Sequence, residues 1–111
     1  MEDVKIGFLG SGNMARAVAS GLIESGTIPK HNIMGSARTE GGLQKIRSMG
    51  CTGTLSNVEV VKCSKVVFLA VKPHILPGVL EEVREFVTED HFLISVANMV
   101  TNQQIEDILG L

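Results

Sequence analysis

Val4-Lys5-Ile6-Gly7-Phe8-Leu9-Gly10-Ser11-Gly12-Asn13-Met14-Ala15 is the stretch from which the rest of the chain can be ordered. A short apolar run breaks into a glycine turn and reopens directly as a helix. That strand–turn–helix sequence is the entry to a dinucleotide-binding unit. Gly10 permits the tight turn out of the strand, and Gly12 lacks the side chain that would keep a pyrophosphate off the backbone. Ala15 stands where a third glycine is usual and is still small enough for the helix to pack on the sheet. The N–H groups of Asn13 and Met14 fall at a helix N-terminus, where the dipole favours phosphate.

The following residues repeat this alternation. Val4 to Leu9 is the first strand, and a helix from Asn13 to Ser25 carries Met14, Val18 and Leu22 on one face, backed by Ala15, Ala19 and Ile23. Gly26 caps it and Pro29 prevents its continuation. A second strand, His31 to Gly35, leads through Ser36-Ala37-Arg38-Thr39 into a helix weakened by Gly41 and Gly42. Leu43, Ile46 and Met49 share one side of that helix, and Gly50 closes it. Cys51 to Thr54 is a short third strand. Ser56 and Glu59 then have the spacing of a capping box for a helix through Val60 and Val61.

Lys65 to Val71 is apolar without alternation, as a central parallel strand buried on both faces requires. Leu76, Leu80 and Val83 mark a fourth helix, with Pro77 tolerable only in its first turn. Phe92 to Ala97 is a fifth strand. Thr101 to Gln104 is a second capping box, opening a helix with Ile105, Ile108 and Leu109. Five strand–helix alternations predict one α/β domain over residues 1–111: a Rossmann-like, doubly wound parallel sheet of order 3-2-1-4-5. The fifth strand is then an apolar edge, open to self-association unless something covers it.

Composition narrows the function. With 111 residues and 44% hydrophobic content, one domain with a real core is expected. A net charge of −2 gives no reason to expect nucleic-acid or membrane-surface binding, and no apolar run reaches membrane-spanning length. The N-terminus lacks the pattern of a signal peptide. Cys51 and Cys63 are too few and too loosely spaced for a disulfide framework or a zinc site, so both are expected as reduced thiols in a cytoplasmic protein.

In this architecture ligands bind beyond the carboxyl ends of the strands. Gly10, Ser11, Gly12, Asn13 and Met14 follow strand one as the pyrophosphate seat. No carboxylate to read a ribose 2′-hydroxyl follows strand two before Glu40. Ser36, Ala37, Arg38 and Thr39 suit a 2′-phosphate instead, so NADPH is preferred, with NADH possible. Asn57 stands near the adenosine end, either as a ligand contact or simply as part of the helix cap. Ala70, Val71, Lys72 and Pro73 follow strand four beside the path of the nicotinamide. His74 is the residue type for a general acid, but a lone histidine at a helix start is more often a cap or surface group. His31 and His91, opening strands, read as structural. Ser95 has no plausible partner as a nucleophile, and no cluster has metal-ligand spacing, so no catalytic residue and no metal site are assigned.

Together, IGFLGSGNMARAVASGL (6–22), SNVEV (56–60), VVFLAVKPHILPGVLEEV (66–83) and LISVA (93–97) resemble the N-terminal domain of pyrroline-5-carboxylate reductases. The resemblance implies the last step of proline biosynthesis, reduction of pyrroline-5-carboxylate to L-proline with NAD(P)H. It implies cofactor contacts at the glycine turn, at Ser36 to Arg38, at Asn57, along Ala70 to Pro73 and at Ala97. It also implies that full-length relatives are oligomeric. Two departures stand out. Family members usually read Ala-Ala-Gly-Val-Thr where this chain has Ala97-Asn98-Met99-Val100-Thr101, so Met99 adds a side chain where backbone would approach the ligand. The helical C-terminal domain, which supplies the dimer and most of the imine-substrate pocket, is expected to be missing. The chain alone is therefore expected to be inactive or nearly so. Two other readings compete: a non-enzymatic NADP(H)-binding or protein-interaction module, and the cofactor domain of another imine or β-hydroxyacid reductase.

Overall fold

The computed structural model describes residues 4–96. Five parallel strands form one sheet: β1 (Ile6–Leu9), β2 (Ile33–Ser36), β3 (Thr52–Thr54), β4 (Val66–Leu69) and β5 (Phe92–Ser95), in the order β3-β2-β1-β4-β5. Helices α1 (Asn13–Glu24), α2 (Glu40–Ser48), α3 (Asn57–Cys63) and α4 (Leu76–Val83) make the crossovers. The expected strand order and α/β class are found.

Alternation along the strands divides the core into two layers. Ile6 and Phe8 of β1 join Ala15, Ala19, Ile33, Leu43 and Ile46 on the α1/α2 side. Leu9, Val67 and Leu69 join Val60, Val61, Leu76, Leu80 and Val83 on the α3/α4 side. Burying each such aliphatic side chain contributes about 1.5–3 kcal/mol. Phe8 and Phe68, paired in register on adjacent strands, stack with ring centroids 4.9 Å apart. Gly7 lets α3 sit directly on β1, because a Cβ there would lie 2.6 Å from Val60 Cγ1 and 2.9 Å from Ser64 Cβ.

Several expectations are corrected. The α1 face is carried by Ala15 and Ala19, whereas Met14 is exposed and Val18, Leu22 and Ile23 are half-buried. Small side chains bring the helix axis close to the sheet, and the larger ones splay to its flanks. The second strand begins at Ile33, because Pro29 starts a 3-10 turn at Lys30–Asn32. Asn32 is buried in that turn and accepts a hydrogen bond from Lys5 Nζ at 3.0 Å. The strands expected over 4–9, 51–54 and 65–71 are shorter, and α1 ends at Glu24. β4 is fully buried only at Val67 and Leu69; Val66 and Phe68, on the opposite face, are half-buried.

The Ser56 box is half formed. Ser56 Oγ accepts from Glu59 N–H at 3.2 Å, but the Ser56 N–H donates to Thr54 Oγ1 rather than to Glu59. β5 is the sheet edge, with Phe92 and Ile94 exposed. His91 anchors its start: Nδ1 accepts from Thr88 N–H at 2.9 Å, so Nε2 carries the proton it donates to the Val61 carbonyl at 2.9 Å. Ala97, the end of the expected fifth strand, lies outside the described residues, as do Met99 and the expected cap and helix from Thr101 onward.

Candidate functional site

The chain runs outward from β1 through β2 to β3, then returns to β4 on the other side of β1. The turns after β1 and β4 therefore lead in opposite directions, and a crevice opens beyond their carboxyl ends. There the structure holds a cleft of about 800 Å³, a volume within the range of about 300–1,000 Å³ typical of cofactor sites. The turns after β1, β2, β3 and β4 and one face of α4 line it.

The glycine turn supplies the floor. Gly10 has φ +113°, and a Cβ there would sit 2.9 Å from the carbonyl carbon and oxygen of Ala70. The turn after β1 is thus pressed against the turn after β4, and only glycine fits between them. The Gly10 N–H donates to Ser36 Oγ at 3.1 Å, tying the same turn to β2. Gly12 differs. It is the N-cap of α1 at φ −73°, and a Cβ there would meet nothing within 4 Å. No side chain caps this helix, whereas Thr39 and Ser56 cap α2 and α3. Among the described residues, the first α1 N–H groups therefore lack an intrahelical or side-chain acceptor. Asn13 and Met14 do not line the cleft itself; the Asn13 side chain accepts from Arg16 Nη2 at 2.6 Å.

At the end of β2, Ser36 and the following Ala37 are buried and Arg38 is exposed on the cleft wall. Each hydroxyl in this loop already accepts a backbone N–H, Ser36 from Gly10 and Thr39 from Gly42 at 3.2 Å. Each keeps its own O–H to donate. Gly42 proves to be a packing glycine: a Cβ there would lie 2.8 Å from both Ala37 Cβ and Ser11 Oγ. What the sequence presents as a weak helix start is what lets α2 close against the glycine turn.

The far wall holds Ala70, Val71, Lys72, His74 and Asn57. Pro73 stiffens the turn behind the lining, and His74 is not a helix cap, since Ile75 occupies that position with no side-chain bond. Asn57 Nδ2 donates to Glu82 Oε1 at 2.8 Å, joining α3 to α4. Leu55, Ile75, Gly78, Val79 and Glu82 also line the cleft and carry no motif. The signal available for four of them is the i, i+3, i+4, i+7 spacing of residues 75, 78, 79 and 82, which places them on one α4 face.

Arg38, Lys72 and Glu82 are the charged groups of the lining. Among the described residues, no three His, Cys, Asp or Glu side chains come together to hold a metal. Burial pushes the Cys51 thiol upward, partly offset by the nearby Lys30 ammonium, but Cys51 lies under α2 rather than on this cleft. No helix of the described residues is long and apolar enough to cross a membrane.

These features can be set beside known proteins. The family described as NADP oxidoreductase coenzyme F420-dependent matches residues 5–99. A Danio rerio protein named pyrroline-5-carboxylate reductase 3 is 46% identical over 106 residues, covering 96% of this chain and 37% of that protein. The structure of a pyrroline-5-carboxylate reductase from Coxiella burnetii aligns at TM-score 0.90 with 36% identity, over 96% of this chain and 40% of that one. The Plasmodium falciparum pyrroline carboxylate reductase, solved with NADP bound, aligns at TM-score 0.86 with 26% identity, over 98% and 39%. The chain therefore spans little more than a third of the length of the relatives it matches.

Proposed function

The chain belongs to the NADP oxidoreductase coenzyme F420-dependent family, and from that premise we propose that its cleft holds a nicotinamide dinucleotide, NADP(H) in preference to NAD(H), as the cofactor half of a pyrroline-5-carboxylate reductase. Gly12 is the observation that carries the proposal. Gly10 must be glycine because Ala70 leaves no room, but no described residue demands glycine at position 12, whose Cβ would point into space open among the described residues. A bound pyrophosphate would fill that space, beside helix N–H groups that have no side-chain cap.

The residues present fit the group. Gly10 to Gly12 and the start of α1 would seat the pyrophosphate, and Arg38 would meet a 2′-phosphate with the Ser36 and Thr39 hydroxyls as further donors. The Ala70–Lys72 backbone would flank the nicotinamide side. When bound, the reduced nicotinamide supplies the hydride that converts a C=N bond to an amine. The chain's own residues would seat and orient it: the turns after β2 and β4 would hold its adenosine and nicotinamide halves, the turn after β1 its pyrophosphate, and the α1 dipole would offset part of the phosphate charge. The imine, 1-pyrroline-5-carboxylate, would be held by residues from the remaining length of such a reductase, because hydride transfer requires both partners in near-attack geometry. A cytoplasmic setting, where reducing conditions keep Cys51 and Cys63 as thiols, completes the proposal.

Calorimetric titration with NADPH and NADH tests it. Gly12→Val should abolish binding of both while leaving the melting temperature near that of the parent, since a Cβ at this position meets no described atom within 4 Å. Arg38→Ala should weaken NADPH by about tenfold, the low end for a charge-assisted contact at an exposed site, and leave NADH nearly unchanged. Failure of the parent chain to bind either nucleotide would overturn the assignment.

A further inference from the structure

The Asn57–Glu82 pair has no evident purpose in a phosphate-binding cleft. A carboxylate on the lining has the wrong sign for a ligand that carries several phosphate charges, yet Glu82 stands there, one turn beyond Gly78. Its neighbour Glu81 pairs with Arg84 at 3.6 Å, whereas Glu82 Oε1 accepts from Asn57 Nδ2 at 2.8 Å. The chemistry of an asparagine amide gives that bond a use. The two ends of the amide are almost identical in shape and opposite in function, one a double donor and the other an acceptor. A half-turn exchanges them, so an unrestrained Asn57 would present either end to a ligand.

An ionised carboxylate only accepts. The bond therefore forms in one orientation alone, with the NH₂ group toward α4 and the carbonyl oxygen turned away from it. We propose that Glu82 is a positioning residue: it locks the Asn57 amide so that Oδ1 faces the cleft as an acceptor for a donor group on the nucleoside part of the dinucleotide. The inference rests on the dinucleotide assignment made above. It gives the carboxylate of this lining a use: an acceptor-only group selects one amide orientation, which a hydroxyl or a second amide would not do.

Titration of the chain with NADPH, comparing parent, Glu82→Ala, Glu82→Gln, Asn57→Ala and the Asn57→Ala/Glu82→Ala double variant, tests the proposal, with thermal melts confirming that each folds. Glu82→Ala should weaken binding by about three- to tenfold, the equivalent of one neutral hydrogen bond. Glu82→Gln should recover only part of that loss, because its amide both donates and accepts and so can bond Asn57 in either orientation. The double variant should bind no more weakly than Asn57→Ala, since Glu82 acts only through Asn57. Tighter binding in both Glu82 variants would mean that the carboxylate merely repels phosphate, and would overturn the proposal. So would a Glu82→Ala loss that persists undiminished in the Asn57→Ala background, or no effect of Glu82→Ala in a chain whose parent binds NADPH. A parent chain that binds no nucleotide would instead defeat the dinucleotide assignment, and this inference with it.

Discussion

Replacing Gly10 with alanine adds a single methyl group, and two separate costs can be worked from its surroundings. The first is conformational. Gly10 has φ +113°, a region in which an L-residue is strained by about 1–3 kcal/mol. The second is steric. The new Cβ would lie 2.9 Å from the carbonyl carbon and oxygen of Ala70 and 3.0 Å from the Val71 nitrogen, where carbon contacts are optimal at about 3.5–4.0 Å. These neighbours are backbone atoms and cannot change rotamer. Relief requires shifting the turn after β4, where the Ala70 N–H donates to the Leu9 carbonyl at 2.9 Å, or the turn after β1, which Ser36 holds through the Gly10 N–H.

Overpacking of this kind costs about 1–3 kcal/mol, so the total is about 2–6 kcal/mol, a large share of the roughly 5–15 kcal/mol that holds a domain together. Thermal unfolding followed by far-UV circular dichroism should show the midpoint fall by at least about 10 °C. Gly12→Ala is the internal control. Its φ is −73° and its Cβ meets nothing within 4 Å, so the midpoint should stay level or rise through loss of unfolded-state entropy. A Gly10→Ala midpoint within about 2 °C of the parent would refute the reasoning, as would equal destabilisation by Gly12→Ala.

Ser56→Ala removes the side chain that accepts the Glu59 N–H at the start of α3 and should cost about 1 kcal/mol in urea unfolding, with the m-value unchanged. Burial raises the Cys51 thiol above its ordinary value of 9.0. The folded chain therefore keeps this proton after the unfolded chain has begun to lose it, and stability should decline as the pH rises through about 9, levelling off above the folded-state value. Unfolding measured from pH 7.5 to 10.5 should show a shallower alkaline decline in Cys51→Ala, and a thiol reagent at neutral pH should label the exposed Cys63 well before Cys51.

The alternation of strands and helices, their order in the sheet and the glycine turn were all legible because each rests on local chemistry: an apolar run, a cap, a helix-breaking proline. Strand ends were less legible. Pro29 sets a 3-10 turn in place of the start of β2, and hydropathy alone does not separate a strand from a turn that buries Asn32. The glycines show the limit most clearly. Gly42 and Gly7 read as weaknesses or as nothing in one dimension, yet each marks a close approach between elements distant in sequence. Asn57 was legible as a cleft residue, but its partner Glu82, 25 positions later, was not. That pairing depends on where α3 and α4 meet. Leu55 likewise carries no pattern of its own and belongs to the lining only because the loop after β3 turns toward it.

The contact between Gly10 and Ala70 also bears on how the cleft moves. The turns after β1 and β4 are held against each other, and the turn after β1 is fastened to β2 through Ser36. The floor of the cleft is thus a single stiff piece with no hinge along it. Motions that admit a ligand are then expected in the walls, where the apolar packing of α3 on α4 is supplemented at its cleft end by one exposed hydrogen bond. Entry should then cost little reorganisation below and be gated from above, making the rate of association more sensitive than the equilibrium stability of the domain to changes at that wall.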